Sequence, residues 1–273
     1  MPTNREAYFE AIKQGVPKTV VDFALRETNG FNYLELTKRF DEVIKNYSLF
    51  KESIDRYLKG EMIEYIFNKA YFLGEPFYVD KNVLIPRQET EQLVLETKKF
   101  IEDDFKGVLD IADVCSGSGA IGVSLNRLLP NHRYYLSDIS KEAIRVSKIN
   151  VNNAKNISLL EGDMLKPFIE HNIKLDVIVC NPPYIDNTET IDKRTLEQEP
   201  HLALLANPNT KYYEELLKNA SKVLKEKFLM AFEIGEDMKE SLEKLVKEYC
   251  PYDEFSFKDD IYGRTRFLFI KHQ

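Results

Sequence analysis

Apolar residues along this chain recur with two different periods, and the change from one to the other divides it. In the first third the spacing is helical. Val20, Val21, Ala24 and Leu25 form one face of a helix that can start at Pro17 and stop at Asn29-Gly30. From Leu34 a second stripe runs through Leu36, Phe40, Val43, Ile44 and Tyr47 and predicts a further helix. Charged residues fill the opposite faces. Residues 1–73 therefore read as a small N-terminal helical domain. Tyr71 to Val79 changes character: aromatic, β-prone residues flank Gly74-Glu75-Pro76, which predicts a hairpin within a linker over 74–90. Leu84-Ile85-Pro86-Arg87 is extended, and Gln88-Glu89-Thr90 leads into a helix from Glu91 to Phe100, with acidic residues suited to a helix N-terminus.

Over 91–273 short apolar runs alternate with amphipathic helices. The strands expected are Val108–Val114, Arg133–Ser137, Ile157–Leu160, Leu175–Cys180 and Phe228–Ile234. The helices expected are Ala120–Leu129, Lys141–Ala154, Tyr212–Lys225 and Met238–Tyr249. Two more strands fall near Phe255–Phe257 and Phe267–Ile270, a hairpin-like pair whose last strand would enter the sheet antiparallel. The order predicts an α/β domain built on a doubly wound sheet.

Candidate chemistry sits where these strands end. The first strand runs into Cys115-Ser116-Gly117-Ser118-Gly119 and then a helix, the nucleotide-binding entry of such a sheet. No Gly-Lys-Ser/Thr follows, so this is not a P-loop, and the first glycine of a dinucleotide fingerprint is missing. The second strand ends in Asp138, about twenty residues beyond the glycines, where a carboxylate meets ribose hydroxyls; Ser140 is the better cap for the next helix. The third ends in Gly162-Asp163-Met164, whose polar residue can reach an adenine amino group while Met164 lies against the ring. The fourth ends in Asn181-Pro182-Pro183-Tyr184. Neither proline has an N–H, so the ladder stops there. Asn181 Oδ1 and the Pro182 carbonyl are acceptors for an –NH2 group, and Tyr184 is placed to lie over a planar amide or base. Glycine loop, ribose acid, adenine contact and amino-group pocket follow in sequence. That order fits S-adenosylmethionine, which has ribose and adenine but no phosphate.

Composition narrows the partners. The net charge is −7, which argues against broad tracking along nucleic-acid phosphates. Cys115, Cys180 and Cys250 are odd in number and far apart, and His132, His171, His201 and His272 show no metal-ligand spacing, so neither a disulfide framework nor a metal site is expected. No apolar segment reaches the length of a membrane span or a signal core, and a soluble protein of the cytoplasm is the expectation.

Taken together these residues resemble the PrmC/HemK family, the glutamine-N5 methyltransferases of peptide chain release factors. The resemblance covers nearly the whole chain. It is carried by Ile85 to Glu91, Asp113 to Ile121, Asp138-Ile139-Ser140, Gly162-Asp163, Asn181 to Ile185, Glu199-Pro200 with Ala203-Leu204, Glu233-Ile234-Gly235, and Asp260 to Arg266. It implies a seven-stranded Rossmann-like methyltransferase sheet behind the helical domain. It implies S-adenosylmethionine along Cys115–Gly119, Asp138, Asp163-Met164 and Asn181, and the glutamine of a Gly-Gly-Gln loop held by Asn181 to Ile185. Asn181, Pro182 and Tyr184 would carry the chemistry, in a monomer without stable nucleic-acid binding. The chain departs from the family in having Cys115 where a glycine is usual, Gln88 where a second proline is common, and Leu205-Ala206-Asn207 where glycines are expected. Two other functions share parts of this pattern: an amino-methyltransferase acting on adenine or guanine, which would use the same Asn-Pro-Pro-Tyr loop, and a cofactor-binding scaffold without activity.

Overall fold

The structure is a computed structural model that describes residues 1–272. It divides into two compact units, one of residues 1–69 together with 193–198, the other of the remaining chain.

The smaller unit contains α1 (Asn4–Lys13), α2 (Lys18–Asn29), α3 (Tyr33–Lys38), α4 (Tyr47–Leu58) and α5 (Ile63–Phe67). α2 follows Pro17 and ends on Gly30 in the left-handed conformation, as its sequence predicts. Its face of Val20, Val21, Ala24 and Leu25 is buried among Ala7, Ile44, Phe50 and Ile54. The stripe from Leu34 to Tyr47 is not one helix. α3 stops at Lys38, and the next helix begins only after Asn46, whose side chain accepts from Leu49 N–H at 3.1 Å. Two buried asparagines hold the segment between them. Asn4 Nδ2 donates to Arg39 O at 2.8 Å, and Asn29 Oδ1 accepts from Lys45 N–H at 3.0 Å. Val43, expected on the apolar face, bridges to Thr3 and stays half exposed. Long-range polar contacts overrode the local period.

The larger unit opens with the hairpin β1 (Ala70–Phe72) and β2 (Glu75–Phe77). Its turn is Leu73-Gly74, both at positive φ, rather than Gly74-Glu75-Pro76. A two-residue turn of that hand matches the strand twist. Phe72 and Phe77 bury into the core beside α6 (Gln88–Asp104). α6 is longer than expected at both ends. It starts directly after Arg87, and Ile101 continues its buried stripe.

Then come β3 (Asp110–Val114), α7 (Ala120–Leu128), β4 (Arg133–Asp138), α8 (Lys141–Val151), β5 (Ile157–Glu161), α9 (Lys166–Glu170) and β6 (Leu175–Cys180). After a short 3-10 turn at Thr188–Thr190 the chain gives α10 (Lys193–Gln198) to the smaller unit, and the larger unit continues with α11 (His201–Leu204), α12 (Lys211–Ala220), β7 (Leu224–Glu233), α13 (Lys239–Tyr249), β8 (Glu254–Asp259) and β9 (Thr265–His272). The helix expected to run to Lys225 ends at Ala220, because Leu224 already pairs with Leu175 as the start of β7.

Seven strands form one sheet in the order β5-β4-β3-β6-β7-β9-β8. β3 to β7 are parallel neighbours in that order, and β9 enters antiparallel to both β7 and β8, as expected. Along β6, Ile178 and Cys180 face one apolar layer with α12 and α13, while Val177 and Val179 face the other with α6 and α7. Burial on both faces is why these strands read as unbroken apolar runs. The strand order reverses between β3 and β6, which opens a crevice at their carboxyl ends.

α7 lies close on the sheet at Gly122. A Cβ there would meet Leu136 Cδ1 at 2.6 Å and Asp113 Cβ at 3.0 Å. Gly122→Ala should therefore cost about 1–3 kcal/mol instead of giving the usual gain of alanine in a helix. A thermal melt should show a Tm lower by several degrees, and an unchanged or raised Tm would mean that this contact yields freely.

Candidate active site

The register of β3 on β6 pairs Val114 with Cys180. The two loops that follow, at Cys115 and Asn181, therefore leave the sheet side by side. The first is tight. Cys115, Gly117 and Gly119 all have positive φ, at 59°, 55° and 78°. The loop is pinned by Ser116 N–H donating to Ser137 O at 2.9 Å and by Gly119 N–H donating to Ser116 O at 2.7 Å. An L-residue in the left-handed region carries a cost of roughly 1–2 kcal/mol, and Cys115 bears it. A Cβ added to Gly117 would meet no protein atom within 4 Å. The loop thus presents bare backbone at an open wall.

Asp138 supports this loop from β4. Its Oδ2 accepts from Gly117 N–H at 2.9 Å and its Oδ1 from Ser140 N–H at 2.8 Å. Each oxygen keeps a further lone pair for a hydroxyl donor. Burial raises the Asp138 pKa, and the N–H donors of Ser140, Gly117 and Ile139 oppose that rise. Ser140, not Asp138, caps α8, accepting from Ala143 N–H at 3.2 Å.

These groups border a cavity of about 120 Å³ that is partly open to solvent. Of the residues expected from sequence at the cofactor, Cys115, Gly117, Asp138, Asp163, Met164 and Asn181 line it. Pro183 lines it too. Ser116, Ser118, Gly119, Pro182, Tyr184 and Ile185 are not on its wall. Ser116 and Ser118 are buried, and Gly119 begins α7. Ser116 Oγ has no hydrogen-bond partner. The donor set suits a neutral nucleoside: a carboxylate for vicinal hydroxyls, apolar Met164 and Ile139 for a flat ring, and backbone rather than cations at the glycine loop.

The second loop is anchored from beneath. Asn181 Nδ2 donates to Thr90 Oγ1 at 3.3 Å, and Thr90 Oγ1 donates to Glu233 Oε2 at 2.6 Å. Tyr184 OH donates to Glu233 Oε1 at 3.3 Å, and Tyr213 OH donates to the Glu233 carbonyl at 2.6 Å. Burial raises the Glu233 pKa, opposed by the Thr90 hydroxyl, the Arg266 charge and the Tyr184 hydroxyl. Beyond Tyr184 the chain is tied by Ile185 N–H donating to Leu204 O at 3.1 Å and by Ala206 N–H donating to Ile185 O at 2.9 Å. Asn181 Oδ1 is left free by these bonds, and the two prolines bring no N–H. The loop therefore offers acceptors.

Several supporting residues have no signal in sequence spacing. The Glu199 carboxylate, fully buried, accepts from Ile85 N–H at 2.9 Å and from the Arg87 guanidinium. Arg87, Thr90, Glu199 and Glu233 all lie in segments that carry the family resemblance, but their pairing spans more than a hundred residues. Ile139, Leu202 and Tyr212 are among the other residues of the cavity wall. An apolar residue directly after a strand-end acid, as at Ile139, is the one cue that could have marked it.

The chain as a whole has clear relatives. The Methyltransferase small domain family matches residues 94–234. Release factor glutamine methyltransferase of Mycoplasma mycoides subsp. mycoides SC is 33% identical, over 88% of each chain. The protein of that name from Bacillus subtilis (strain 168) is 33% identical over 94% of this chain and 95% of its own. The chain belongs to the release factor glutamine methyltransferase family. In fold it also resembles the T. thermophilus 16S rRNA N2 G1207 methyltransferase solved with AdoMet and guanosine, with a TM-score of 0.56, 16% identity and coverage of 75% of this chain and 50% of that one. Two departures from the family pattern now have a physical setting. Cys115 occupies a left-handed position that glycine adopts without strain. Gln88 is the first residue of α6, where a proline is favoured but not required.

Asp113, just before the glycine loop, is buried and bonded only at Oδ2, which accepts from Gly122 N–H at 2.8 Å. Burial pushes its pKa up to about 7 from 3.8, with the Gly122 bond opposing and the Asp138 charge adding. A raised pKa means that the folded chain holds this proton more tightly than the unfolded one. Stability should therefore fall as pH rises from about 4 to about 7, by an amount on the order of a few kcal/mol. Asp113→Asn removes the titration. Its Tm should vary less than wild type across that window, which a melt at stepped pH will read; parallel profiles would show that Asp113 is not the group.

Proposed function

We propose that this chain transfers a methyl group from S-adenosylmethionine to the side-chain amide nitrogen (N5) of the glutamine in the Gly-Gly-Gln loop of peptide chain release factors. The observation that carries the reading is that Asn181, its Nδ2 spent on Thr90, keeps Oδ1 as an acceptor beside a cavity edged by Asp138 and Met164, in a chain of this family.

In this reading Asp138 takes the ribose hydroxyls, Asp163 the adenine amino group, and Met164 the ring face. Cys115 to Gly119 bring bare backbone close to the cofactor. The cofactor, when bound, supplies an electrophilic sulfonium methyl. An amide nitrogen is a weak nucleophile because its lone pair is shared with the carbonyl. Asn181 Oδ1 and the Pro182 carbonyl accept its two N–H bonds, which shifts electron density to nitrogen and fixes the lone pair toward the methyl. Tyr184, its hydroxyl held by Glu233, and the neighbouring Pro183 and Ile185 keep the amide plane in place. Positioning and fixed dipoles carry most of the acceleration. After transfer the surplus proton would pass from nitrogen to solvent water, so no strong base is needed beside Asn181.

The N-terminal helical unit, with residues 74–90 leading from it, would dock the release factor. A release factor as substrate puts the place of action in the cytoplasm; no helix among the described residues is long and apolar enough to cross a membrane. The acidic balance supports a protein partner over a nucleic acid, and a monomer suffices because one chain supplies every named group.

Incubation with methyl-labelled S-adenosylmethionine should label a purified class-I release factor. It should not label the factor with its Gly-Gly-Gln glutamine changed, duplex DNA or ribosomal RNA. Label on a nucleic acid would move the function to a base amino group. Cofactor bound with no label anywhere would leave a binding scaffold.

A further inference from the structure

We propose that Thr90, held by Glu233, fixes which end of the Asn181 amide faces the pocket, and so makes the site select an –NH2 nucleophile over a carboxylate. This rests on the function proposed above and deepens it: Thr90 and Glu233 are positioning residues, and neither touches the substrate.

An asparagine amide has two nearly isosteric ends, one accepting and one donating. Only the carbonyl end can hold a glutamine –NH2. With the amide turned round, the pocket would present a donor and would suit a carboxylate instead. Something must therefore set the orientation, and packing cannot, because the two ends have the same shape. The hydrogen bonds beneath the loop do. Two hydroxyl donors and the Arg266 charge favour the ionised form of Glu233 against its burial, and an ionised carboxylate only accepts. Glu233 Oε2 lies 2.6 Å from Thr90 Oγ1, so the Thr90 proton is committed to it. Thr90 Oγ1 then has only lone pairs left for its other neighbour, Asn181, at 3.3 Å. The end of Asn181 that meets it must be Nδ2–H, and Oδ1 turns to the pocket.

The supporting groups are built to hold this polarity. Thr90 and Glu233 are 5% and 2% exposed, so water does not compete for them. The other Glu233 oxygen is taken by the Tyr184 hydroxyl at 3.3 Å, so the same carboxylate orients both polar members of the loop. Glu233 is fixed in turn: Tyr213 OH bonds its carbonyl at 2.6 Å, and Arg266 Nη1 donates to the next carbonyl, Ile234 O, at 3.1 Å. Thr90 sits in the first turn of α6 and Glu233 at the end of β7, next to β6. The polarity of one hydroxyl is thus set by the sheet and delivered to the reaction loop.

The rival explanation is that Thr90 merely ties α6 to the sheet. Thr90→Val keeps the shape and removes the relay; Thr90→Ser keeps the relay; Glu233→Gln keeps the shape and puts a donor in the carboxylate. The readouts are kcat and KM on the release factor, cofactor affinity, and the ratio of affinities for the factor and for its Gln→Glu form. T90V and E233Q should lower kcat and narrow that ratio by roughly tenfold or more, with cofactor affinity within twofold, while T90S stays near wild type in all three. The side-chain NH2 signal of Asn181 in asparagine-15N-labelled protein, assigned by its loss in N181A, should shift in T90V and not in T90S. Loss of kcat with the ratio unchanged, T90S as impaired as T90V, or an unmoved Asn181 signal would each overturn the proposal. Should wild type transfer no methyl to any release factor, the functional reading fails, and the Asn181 signal still decides the orientation.

Discussion

Everything at this site depends on the parallel pairing of β3 with β6. Their register sets Val114 against Cys180, so the glycine loop and the Asn-Pro-Pro-Tyr loop leave the sheet as neighbours. Strand order reverses between these two strands, which opens a crevice at their carboxyl ends. The parallel arrangement also buries both faces of β6, from Leu175 to Cys180, which holds Asn181 on a rigid stem. A one-residue slip would turn Asn181 to the opposite face of the sheet.

The two loops divide the work. The loop after β3 is made of left-handed backbone, at Cys115, Gly117 and Gly119, and such conformations persist only where neighbours impose them. Here Asp138 takes Gly117 N–H, Ser147 Oγ donates to Gly117 O at 2.9 Å, and Asn150 Nδ2 donates to Ser118 O at 2.8 Å. The loop after β6 is held differently, by a buried carboxylate that takes two hydroxyls. In the function proposed here one loop would present backbone to a nucleoside and the other acceptors to a nitrogen, so grip on the cofactor and chemistry at the nucleophile would rest on separate supports.

Much of this was legible in the sequence because both faces of the central strands are buried and read as apolar runs. The ends of β6 and β4, and hence Asn181 and Asp138, were placed from those runs and their polar stops. Ser140 as the cap of α8 followed from side-chain chemistry alone. What was not legible depends on contacts between distant segments. The break between α3 and α4 is made by Asn4 and Asn29, whose burial no local window reveals. Thr90 and Glu233 are 143 residues apart, and Glu199 and Ile85 are 114 apart. Each looks like an ordinary helix start or strand end until the fold brings it to its partner.

In the proposed function Asn181 serves the nucleophile and the glycine loop serves the cofactor. The decisive measurement is the single-turnover rate of methyl transfer to a release factor by Asn181→Ala, set beside its affinity for S-adenosylmethionine. The account predicts that the rate falls by about a hundredfold or more while the affinity stays within a few-fold of wild type. A rate that survives within a few-fold would contradict it, as would a loss of rate fully explained by lost cofactor binding.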